Sequence, residues 1–289
     1  MWGDDGTAWE AELARILASA RAASGIDFSS YRASTMRRRA ALRIGMTQCA
    51  GADDYLAKIE SDPEEMLALV DALLIKTTWM YREPRTFDFL RARALPELFA
   101  QRALEGAQAI RAWVPACSSG EEAYTLAMCL DEARAKTKLE FQVIASDVHD
   151  GALTKARAAH YEEESYKALP PDFATRYLVR ATNRQTPGAQ VSEDLRSRVV
   201  IARHDALRSQ HSSPREAGVS SFDIVSCRNL MVYLKPPAQD ELIVRLLKTC
   251  MQDSLFVIGD SESVRPATQD ANTATLVAIV PKIPVFRVA

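Results

Sequence analysis

The sequence predicts an α/β fold: a mostly parallel, doubly wound sheet with a terminal antiparallel hairpin, an N-terminal all-α domain, and a small inserted antiparallel β-subdomain. Three observations predict this fold. The first quarter of the 289 residues shows only helical patterns. Seven apolar runs of strand length follow, and helical patterns separate most of them. The stretch between the second and third runs is too long for a simple crossover connection.

Composition and charge exclude several classes of protein. Hydrophobic residues make up 47% of the chain and charged residues 26%, which is ordinary for a globular protein, and the net charge of −2 favours neither nucleic acid nor a membrane surface. No apolar run is long enough to span a membrane, and the N-terminus lacks the pattern of a signal peptide. The five cysteines and four histidines are scattered. We therefore expect no metal site, no disulfide framework, and a cytoplasmic protein that is monomeric by default.

Residues 1–76 are predicted to form a helical domain. A first helix carries apolar side chains on one face, a second opens at Ser29-Ser30-Tyr31, and a third opens at Asp53-Asp54. The fourth helix has the clearest start, because Asp62-Pro63-Glu64-Glu65 combines an N-cap residue, a proline at the first helical position and two acids.

The second predicted helix carries the one marked charge feature of the chain. It is a cluster of arginines that includes Arg37, Arg38 and Arg39. Two interpretations stay open: the cluster is a solvated helix face, or it docks the acidic surface of a protein partner.

Residues 77–105 are predicted to link the two domains and to form the first helix of the second domain. The segment 77–84 is aromatic and basic, which is unusual for a linker, and it ends at Pro84 before that helix. It either packs between the domains or closes over a site in the second domain and directs Arg82 into it. A buried arginine requires an anionic partner, and a substrate carboxylate would serve.

Residues 106–289 are predicted to form the α/β domain. A short Pro-Lys-Ile connection joins the last two apolar runs, which indicates a terminal hairpin. Residues from about 165 to 198 are predicted to be the inserted β-subdomain, whose strand edges are able to accept a peptide. The predicted strands are 110–114, 141–145, 199–202, 222–226, 255–258, 276–280 and 284–288.

One loop organises the rest of the chain. Pro115-Ala116-Cys117-Ser118-Ser119-Gly120 joins the first strand to a helix that begins with Glu121-Glu122. A strand, a tight turn and a helix N-terminus form the layout of a nucleotide-type site. A phosphate would need more glycines and a lysine, whereas carboxylates suit hydroxyls, an ammonium or a sulfonium. The alternative interpretation is simple helix capping by Ser118 or Ser119.

Polar side chains also follow the next three predicted strands, where sheets of this kind bind ligands. Asp147 ends the second strand and is predicted to hold a ribose through its two hydroxyls, the alternative being an ordinary turn residue. Asp205 follows the third strand, where it is able to accept a hydrogen bond from an adenine amino group. Arg228 and Asn229 follow the fourth strand, and they either contact the ligand or cap the next helix.

Taken in order, these motifs resemble the chemotaxis-receptor methyltransferase family, the bacterial protein-glutamate O-methyltransferases. The resemblance covers nearly the whole chain, and the ordered set of motifs is highly specific although no single motif is decisive. The chain differs from the family pattern at Lys76, Trp79-Met80-Tyr81, Ala116, Ala123, Asp205 and Asp260. The segments that carry the resemblance are 26–31, 35–39, 77–84, 116–125, 145–147, 227–233 and 259–263.

The resemblance implies a Rossmann-like methyltransferase sheet with S-adenosylmethionine as methyl donor and S-adenosylhomocysteine as product. It implies methyl transfer to glutamate side chains of a chemoreceptor, which tunes chemotaxis-type signalling. The cytoplasmic domain of that receptor would be reached through Arg37, Arg38, Arg39 and the β-subdomain. The residues implied to contact the donor are Thr78, Arg82, Glu121, Asp147, Asp205, Ala206, Cys227, Arg228 and Asn229.

A glutamate carboxylate is already ionised at neutral pH, so methyl transfer to it requires no general base. Alignment and desolvation would supply the catalysis. Arg82 and Tyr233 are the candidate catalytic residues that position the carboxylate, the alternative for Tyr233 being packing in the sheet. Two other functions stay open. One is a non-catalytic, cofactor-binding signalling adaptor, suggested by Lys76, Trp79 and Asp260, and the other is a methyltransferase for a small molecule.

Overall fold

The structure is a computed structural model that describes residues 6–137, 139–180, 187–264 and 274–289, without the side chains of residues 6–8 and 217. Its described residues divide into two compact units. One contains the chain up to Ile75 together with Tyr233–Ala238, and the other contains Lys76–Val232 and the residues from Gln239 onward. None of the described helices is both long enough and apolar enough to cross a membrane.

The first unit is helical. Asp62 accepts hydrogen bonds from the backbone N–H groups of Glu64 and Glu65 at the start of the fourth helix, as the sequence predicted. The second helix begins later than predicted, because Phe28–Ser30 form a 3-10 turn that the Asp27 carboxylate caps. The α-helices are α1 (Gly6–Ser24), α2 (Ala33–Ile44), α3 (Ala52–Ser61) and α4 (Pro63–Leu73).

The second unit contains a seven-stranded sheet in the order β6-β2-β1-β7-β8-β10-β9. The strands are β1 (Ala109–Pro115), β2 (Glu140–Asp147), β6 (Val199–Arg203), β7 (Phe222–Ser226), β8 (Cys250–Val257), β9 (Leu276–Ala278) and β10 (Val285–Val288). The first five strands of that order are parallel, and β10 is antiparallel to both β8 and β9. The prediction of a mainly parallel sheet with a terminal antiparallel hairpin is therefore confirmed.

Helices cover this sheet, and α7, which follows β1, is buried along most of its length because apolar side chains recur on every face. The predicted helix after Pro84 runs through a π-helical turn, Leu90–Ala94, into the next helix. The helices are α5 (Pro84–Phe89), α6 (Leu95–Leu104), α7 (Glu121–Arg134), α8 (Asp150–Ala158), α9 (Glu163–Tyr166), α10 (Pro171–Tyr177), α11 (Glu193–Arg196) and α12 (Pro236–Leu247).

The inserted subdomain lies between β2 and β6 of the chain and is built on a second, antiparallel sheet. Its strands are β3 (His160–Tyr161), β4 (Leu178–Arg180) and β5 (Ala189–Val191), in the order β3-β5-β4. The subdomain begins before the predicted boundary at 165, because β3 supplies a third strand beside the predicted hairpin. Residues 181–186 of this insertion lie outside the described residues.

Candidate functional site

The predicted ligand-contacting residues of the sheet lie at the carboxyl ends of four adjacent strands, β6, β2, β1 and β7. Asp147 is the last residue of β2, Glu121 opens α7 after β1, and Cys227 directly follows β7. The chain runs outward from β1 through β2 to β6, and then continues on the other side of β1 with β7 and β8. This change of direction beside β1 creates the crevice in which open α/β sheets bind ligands.

The loop after β1 has an unusual backbone conformation. Ala116, Ser118 and Gly120 have φ angles of +55°, +51° and +94°, in the left-handed region. A side chain at Gly120 would place its Cβ 3.0 Å from Ala156 Cβ and 3.0 Å from the hydroxyl of Tyr161, so glycine is required there. Tyr161 donates a hydrogen bond of 2.7 Å to the carbonyl of Ser119, which holds the loop against the inserted subdomain.

Serine capping of α7, the alternative interpretation of this loop, is wrong. The N-cap residue is Gly120, and no side chain caps the helix. Ser118 Oγ donates instead to the carbonyl of Lys76 at 3.3 Å, and Ser119 Oγ donates to the carboxylate of Glu121 at 2.8–2.9 Å. The left-handed glycine occupies the capping position and leaves both serine side chains for other partners.

The carboxylates of Glu121 and Asp147 lie at this edge of the sheet. Burial raises the pKa of Glu121 above its ordinary value, although the hydrogen bond from Ser119 acts in the opposite direction. Burial likewise raises the pKa of Asp147, against the effect of the N–H groups of His149 and Ser118. Those N–H groups donate to the two separate oxygens of Asp147, at 2.9 and 2.8 Å. The N–H of Val148 also interacts with this carboxylate, which still has capacity for a further donor, such as a hydroxyl of a diol.

Arg228 is the buried arginine of the site, with a side chain only 1% exposed. Its Nη2 donates to the carbonyl of Arg82 at 2.5 Å and to the Glu83 carboxylate at 2.9 Å. Its Nη1 lies 3.5 Å from Glu122 Oε2, and its guanidinium lies over the Phe87 ring, 4.6 Å from the centroid. The sequence argument expected a buried arginine with an anionic partner at Arg82. In the structure that arginine is Arg228, and its anionic partners are Glu83 and Glu122.

Asn229 also contacts Glu83, through a hydrogen bond of 2.8 Å from its Nδ2 to Glu83 Oε1. The alternative that Arg228 and Asn229 cap the next helix is therefore wrong, because both side chains face the segment before α5. Sequence reasoning did not single out Glu83 as a functional residue. Two features of the sequence could have indicated it: Glu83 is adjacent to Arg82, and a buried Arg228 requires an acidic partner.

Glu262 was also missed, and it connects the loops after β7 and β8. Its Oε2 accepts from the N–H groups of Gly259 and Asn229, and its Oε1 accepts from those of Met231 and Val232, at 2.7–3.3 Å. Burial raises the pKa of Glu262 above its ordinary value, and the four backbone donors oppose that effect. No local pattern indicates this role, because it depends on how two distant loops meet.

Arg82 lies half-buried in the segment between the last helix of the first unit and α5. Its guanidinium lies over the Trp79 ring, 4.7 Å from the centroid, and its Nη1 donates to the carbonyl of Thr77 at 2.8 Å. Within the described part of the chain, Arg82 forms no ion pair with a carboxylate. Thr78 belongs to the same segment and is partly exposed.

Asp260, one of the departures from the family pattern, is part of the same region. Its carboxylate accepts from Thr86 Oγ1 at 3.1 Å, and its backbone N–H donates to the Glu83 carboxylate at 3.0 Å. The aspartate thus holds the loop after β8 against the beginning of α5.

The remaining predicted residues are placed differently. Asp205 Oδ1 accepts from the N–H groups of Leu207 and Arg208, and Ala206 is buried with its carbonyl accepting from Arg245. Tyr233 belongs to the helical unit, so its action together with Arg82 stays a prediction. Among the described residues, no group of three or more His, Cys, Asp or Glu side chains is arranged to hold a metal ion.

The predicted arginine patch is smaller than the sequence suggested. Arg39 donates to the carbonyls of Ala72 and Leu74 at 2.5 and 2.8 Å, so its guanidinium is used to fix the end of α4. Arg37 and Arg38 are exposed. Only these two of the three residues are therefore available for docking an acidic surface.

The chain matches two family descriptions. The family description "CheR methyltransferase, SAM binding domain" matches residues 76–278, and "CheR methyltransferase, all-alpha domain" matches residues 11–74. Chemotaxis protein methyltransferase 2 of Pseudomonas aeruginosa is 28% identical over 240 residues, which cover 83% of this chain and 82% of that protein. Chemotaxis protein methyltransferase 1 of the same organism is 31% identical over 202 residues, or 68% of this chain and 69% of that protein. An uncharacterized 104.1 kDa protein of Rhodobacter capsulatus is 29% identical over 260 residues, which cover 89% of this chain but only 26% of that protein.

Proposed function

Because the chain belongs to the CheR methyltransferase family, we propose that it transfers methyl groups from S-adenosylmethionine to glutamate side chains of a chemoreceptor. The chain is an S-adenosylmethionine-dependent methyltransferase. The acceptor and the residues that act on it are the proposed part. The names of relatives from several bacteria, which are chemotaxis protein methyltransferases, support an acceptor in chemotaxis-type signalling.

The observation that carries the proposal is the charge of the site. The crevice presents the carboxylates of Glu121 and Asp147 where a phosphate-binding sheet would present glycines and a lysine. Carboxylates of this kind suit a ligand that bears a sulfonium, an ammonium and a ribose diol. The Asp147 carboxylate retains capacity for a further donor, so we assign it to the ribose, and we assign Glu121 to the contact surface of the donor. Asp205, Ala206 and Cys227 line the same edge of the sheet from β6 and β7.

When bound, the donor supplies an electrophilic methyl group on a sulfonium. The task of the protein is to bring an ionised glutamate into line with that methyl group and to exclude water from the carboxylate. Alignment of this kind is worth about 7–11 kcal/mol of the barrier in well-oriented reactions. A general base is not needed, because the glutamate has already lost its proton at neutral pH.

We assign the orientation of the incoming carboxylate to Arg82, with Tyr233 as a second contact. Arg82 is partly exposed and has no carboxylate partner among the described residues. Its backbone carbonyl accepts a hydrogen bond from Arg228. Its guanidinium is therefore available for a bidentate contact with a carboxylate. Since an arginine withdraws electron density from the nucleophile, its contribution is binding and orientation rather than activation.

We assign receptor docking to Arg37 and Arg38 of α2 and to the inserted subdomain. Both arginines are exposed, and the edge strand β4 carries Val179, which is 61% exposed. The acidic surface of a receptor helix would match the arginines, and an extended peptide would match the strand edge.

The experiment is the transfer of labelled methyl from S-adenosylmethionine to the cytoplasmic fragment of a receptor from the same cell. Base-labile label on the receptor would identify a glutamate methyl ester. Arg82→Ala should lower the transfer at least tenfold while the thermal midpoint stays close to that of the unmodified protein. Arg93→Ala is the matched control, because Arg93 is an exposed arginine paired with Glu97.

One result would overturn the proposed function, and another would overturn only the role that it gives to Arg82. Absence of label despite demonstrated binding of S-adenosylmethionine would favour the adaptor function or another substrate. Label that survives in Arg82→Ala at the level of Arg93→Ala would reject the assigned role of Arg82 and leave the methyl transfer in place.

A further inference from the structure

The inserted subdomain touches the segment that carries Arg82, here called the Arg82 segment (residues 79–83). The backbone N–H of Met80 donates to the carbonyl of Ser165 in α9 at 2.7 Å. The ring of Tyr81 meets the ring of Phe173 in α10 edge-on, with centroids 6.1 Å apart and planes at 89°. Both contacts come from the insertion, so the subdomain forms one wall of the segment.

The opposite side of the Arg82 segment is fixed to the site. Tyr81 donates its N–H to Thr125 Oγ1 of α7 at 3.1 Å, and its hydroxyl donates to Asp88 at 2.8 Å. Its ring stacks on Phe87 with centroids 5.4 Å apart, and Phe87 carries the guanidinium of Arg228 on its face. Packed side chains therefore run without a gap from Phe173 through Tyr81 and Phe87 to Arg228, which in turn holds the carbonyl of Arg82.

The backbone on both sides of Arg82 is held in a sparsely populated conformation. Tyr81 and Glu83 have φ angles of +59° and +61°, and neither is glycine. Non-glycine residues keep left-handed angles only where their surroundings over-determine them. Tyr81 is 2% exposed, so its packed ring restrains the backbone directly before Arg82.

Phe173 is itself fixed firmly to the rest of the unit. The Arg91 guanidinium lies over its ring, 4.4 Å from the centroid, and donates to Glu132 at 2.5–2.8 Å and to Asp172 at 2.5 Å. The Phe173 side chain is 2% exposed. It therefore provides a rigid surface for Tyr81 rather than a mobile cover.

We propose that Phe173 is a positioning residue for methyl transfer: through Tyr81 it fixes the Arg82 segment, so that the inserted subdomain completes the site as well as docking a partner. The proposal rests on the assigned role of Arg82 in the proposed function. It deepens that role by naming the contact that sets the orientation of the arginine. The subdomain would then influence the rate of transfer even for a receptor that does not bind its strand edge.

The first test follows Trp79, which stacks on Arg82 and so reports on the position of its guanidinium. The full chain is labelled with 5-fluorotryptophan, and the Trp79 resonance is assigned by Trp79→Phe. Phe173→Leu should shift or broaden the Trp79 fluorine resonance and leave that of Trp113 in place. The control is Phe99→Leu, because Phe99 is a buried phenylalanine of α6 in the same core with no ring contact to Tyr81. If Phe173→Leu does not fold, Phe173→Met replaces it, because the flexible methionine side chain fills irregular core space with little strain.

The second test is a double-mutant cycle on kcat for methyl transfer to the receptor fragment. Phe173→Leu should lower kcat about tenfold when Arg82 is present and less than about twofold in the Arg82→Ala background, because Phe173 acts through Arg82. Phe99→Leu should lower kcat by the same small factor in both backgrounds.

An unchanged Trp79 resonance in folded Phe173→Leu would overturn the proposal, and so would equal factors in the two backgrounds of the cycle. If the unmodified protein failed to methylate the receptor, the proposed function would fall. The Trp79 resonance, measured with S-adenosylhomocysteine bound, would still decide whether Phe173 positions the segment.

Discussion

Removing the Glu83 carboxylate should destabilise the protein far more than removing a surface carboxylate. Its oxygens accept from the Arg228 guanidinium, the Asn229 amide and the Asp260 N–H, at 2.8–3.0 Å. Loss of one partner of a buried ion pair costs about 3–5 kcal/mol, because the other charge stays buried. Glu83 is 16% exposed and Glu122 still lies 3.5 Å from Arg228, so we expect the lower end, about 3 kcal/mol, for Glu83→Ala.

The matched control is Glu97→Ala. Glu97 also pairs with an arginine, Arg93, at 2.9 Å, but the two side chains are 46% and 56% exposed. Exposed pairs of this kind contribute about 0–1 kcal/mol, because water and salt screen the charges. The two variants thus compare equal chemistry at two depths.

The pH dependence of the Glu83 effect has a definite sign. Burial alone would raise the pKa of Glu83, but the hydrogen bonds from Asn229 and Asp260 and the charge of Arg228 together hold it below the ordinary value of 4.5. The stabilisation by Glu83 is therefore complete above the pKa of the unfolded chain and is lost as the pH falls through the lowered pKa of the folded protein. The difference in stability between the parent and Glu83→Ala should be constant from about pH 5 upward and shrink below about pH 4.

The assay is urea unfolding of the parent, Glu83→Ala and Glu97→Ala at pH 7 and at a pH below 4, followed by circular dichroism. A change in midpoint at constant slope would report a change in the free energy of unfolding. A difference between the two variants of less than 1 kcal/mol at pH 7 would refute the reasoning. It would mean that Arg228 finds other partners when Glu83 is removed.

Three further predictions concern the cofactor site and the core. Asp147→Asn should weaken the binding of S-adenosylmethionine about 10- to 100-fold by calorimetry, because hydrogen bonds to charged groups are worth about 1.5–3 kcal/mol. The control is Asp150→Asn, at an exposed aspartate, which should bind S-adenosylmethionine normally. Equal affinities of the two variants would reject the ribose assignment. Burial raises the pKa of Asp147 above the ordinary aspartate value of 3.8. As the pH is lowered, the affinity for S-adenosylmethionine should therefore begin to fall while the pH is still above 3.8. A loss of affinity only below pH 3.8 would contradict the raised pKa. Asp223→Ala should lower the free energy of unfolding by about 3–5 kcal/mol, because Asp223 pairs with the buried Arg102. An unchanged affinity for S-adenosylmethionine at low temperature, where the variant is folded, would show that the loss of stability does not come from the cofactor site.

The sequence was a good guide to the sheet and to the residues at its carboxyl edge. The alternation of apolar runs with helical patterns predicted a mainly parallel sheet. As expected, Asp147 lies at the end of a strand and Glu121 at the beginning of a helix. The reason is physical: the strand period and the helix period are local, and parallel strands bring their carboxyl ends to one edge.

Partners from distant parts of the chain were not predictable in the same way. Glu83 and Arg228 are 145 residues apart, and Glu262 meets Asn229 across 33 residues. No pattern within a window of the sequence connects such pairs. Serine capping of α7 failed for a local reason, because the left-handed Gly120 takes the capping position and sequence alone did not indicate its φ angle.

The two arginines of the site have opposite surroundings, and the difference explains why only one of them is a candidate for the substrate. Arg228 is fully buried, with its charge divided between Glu83 and Glu122 and its face covered by Phe87. Burial closes its side chain off from an incoming carboxylate, although its Nε and Nη1 have no hydrogen-bond partner among the described residues, and its Nη2 holds the carbonyl of Arg82. Arg82 keeps four of its five N–H donors outside the hydrogen bonds among described residues, and it rests on Trp79 at partial exposure. The proposed binding of a glutamate side chain therefore rests on Arg82, which is partly exposed and has no carboxylate partner among the described residues, and whose backbone is held by the buried Arg228.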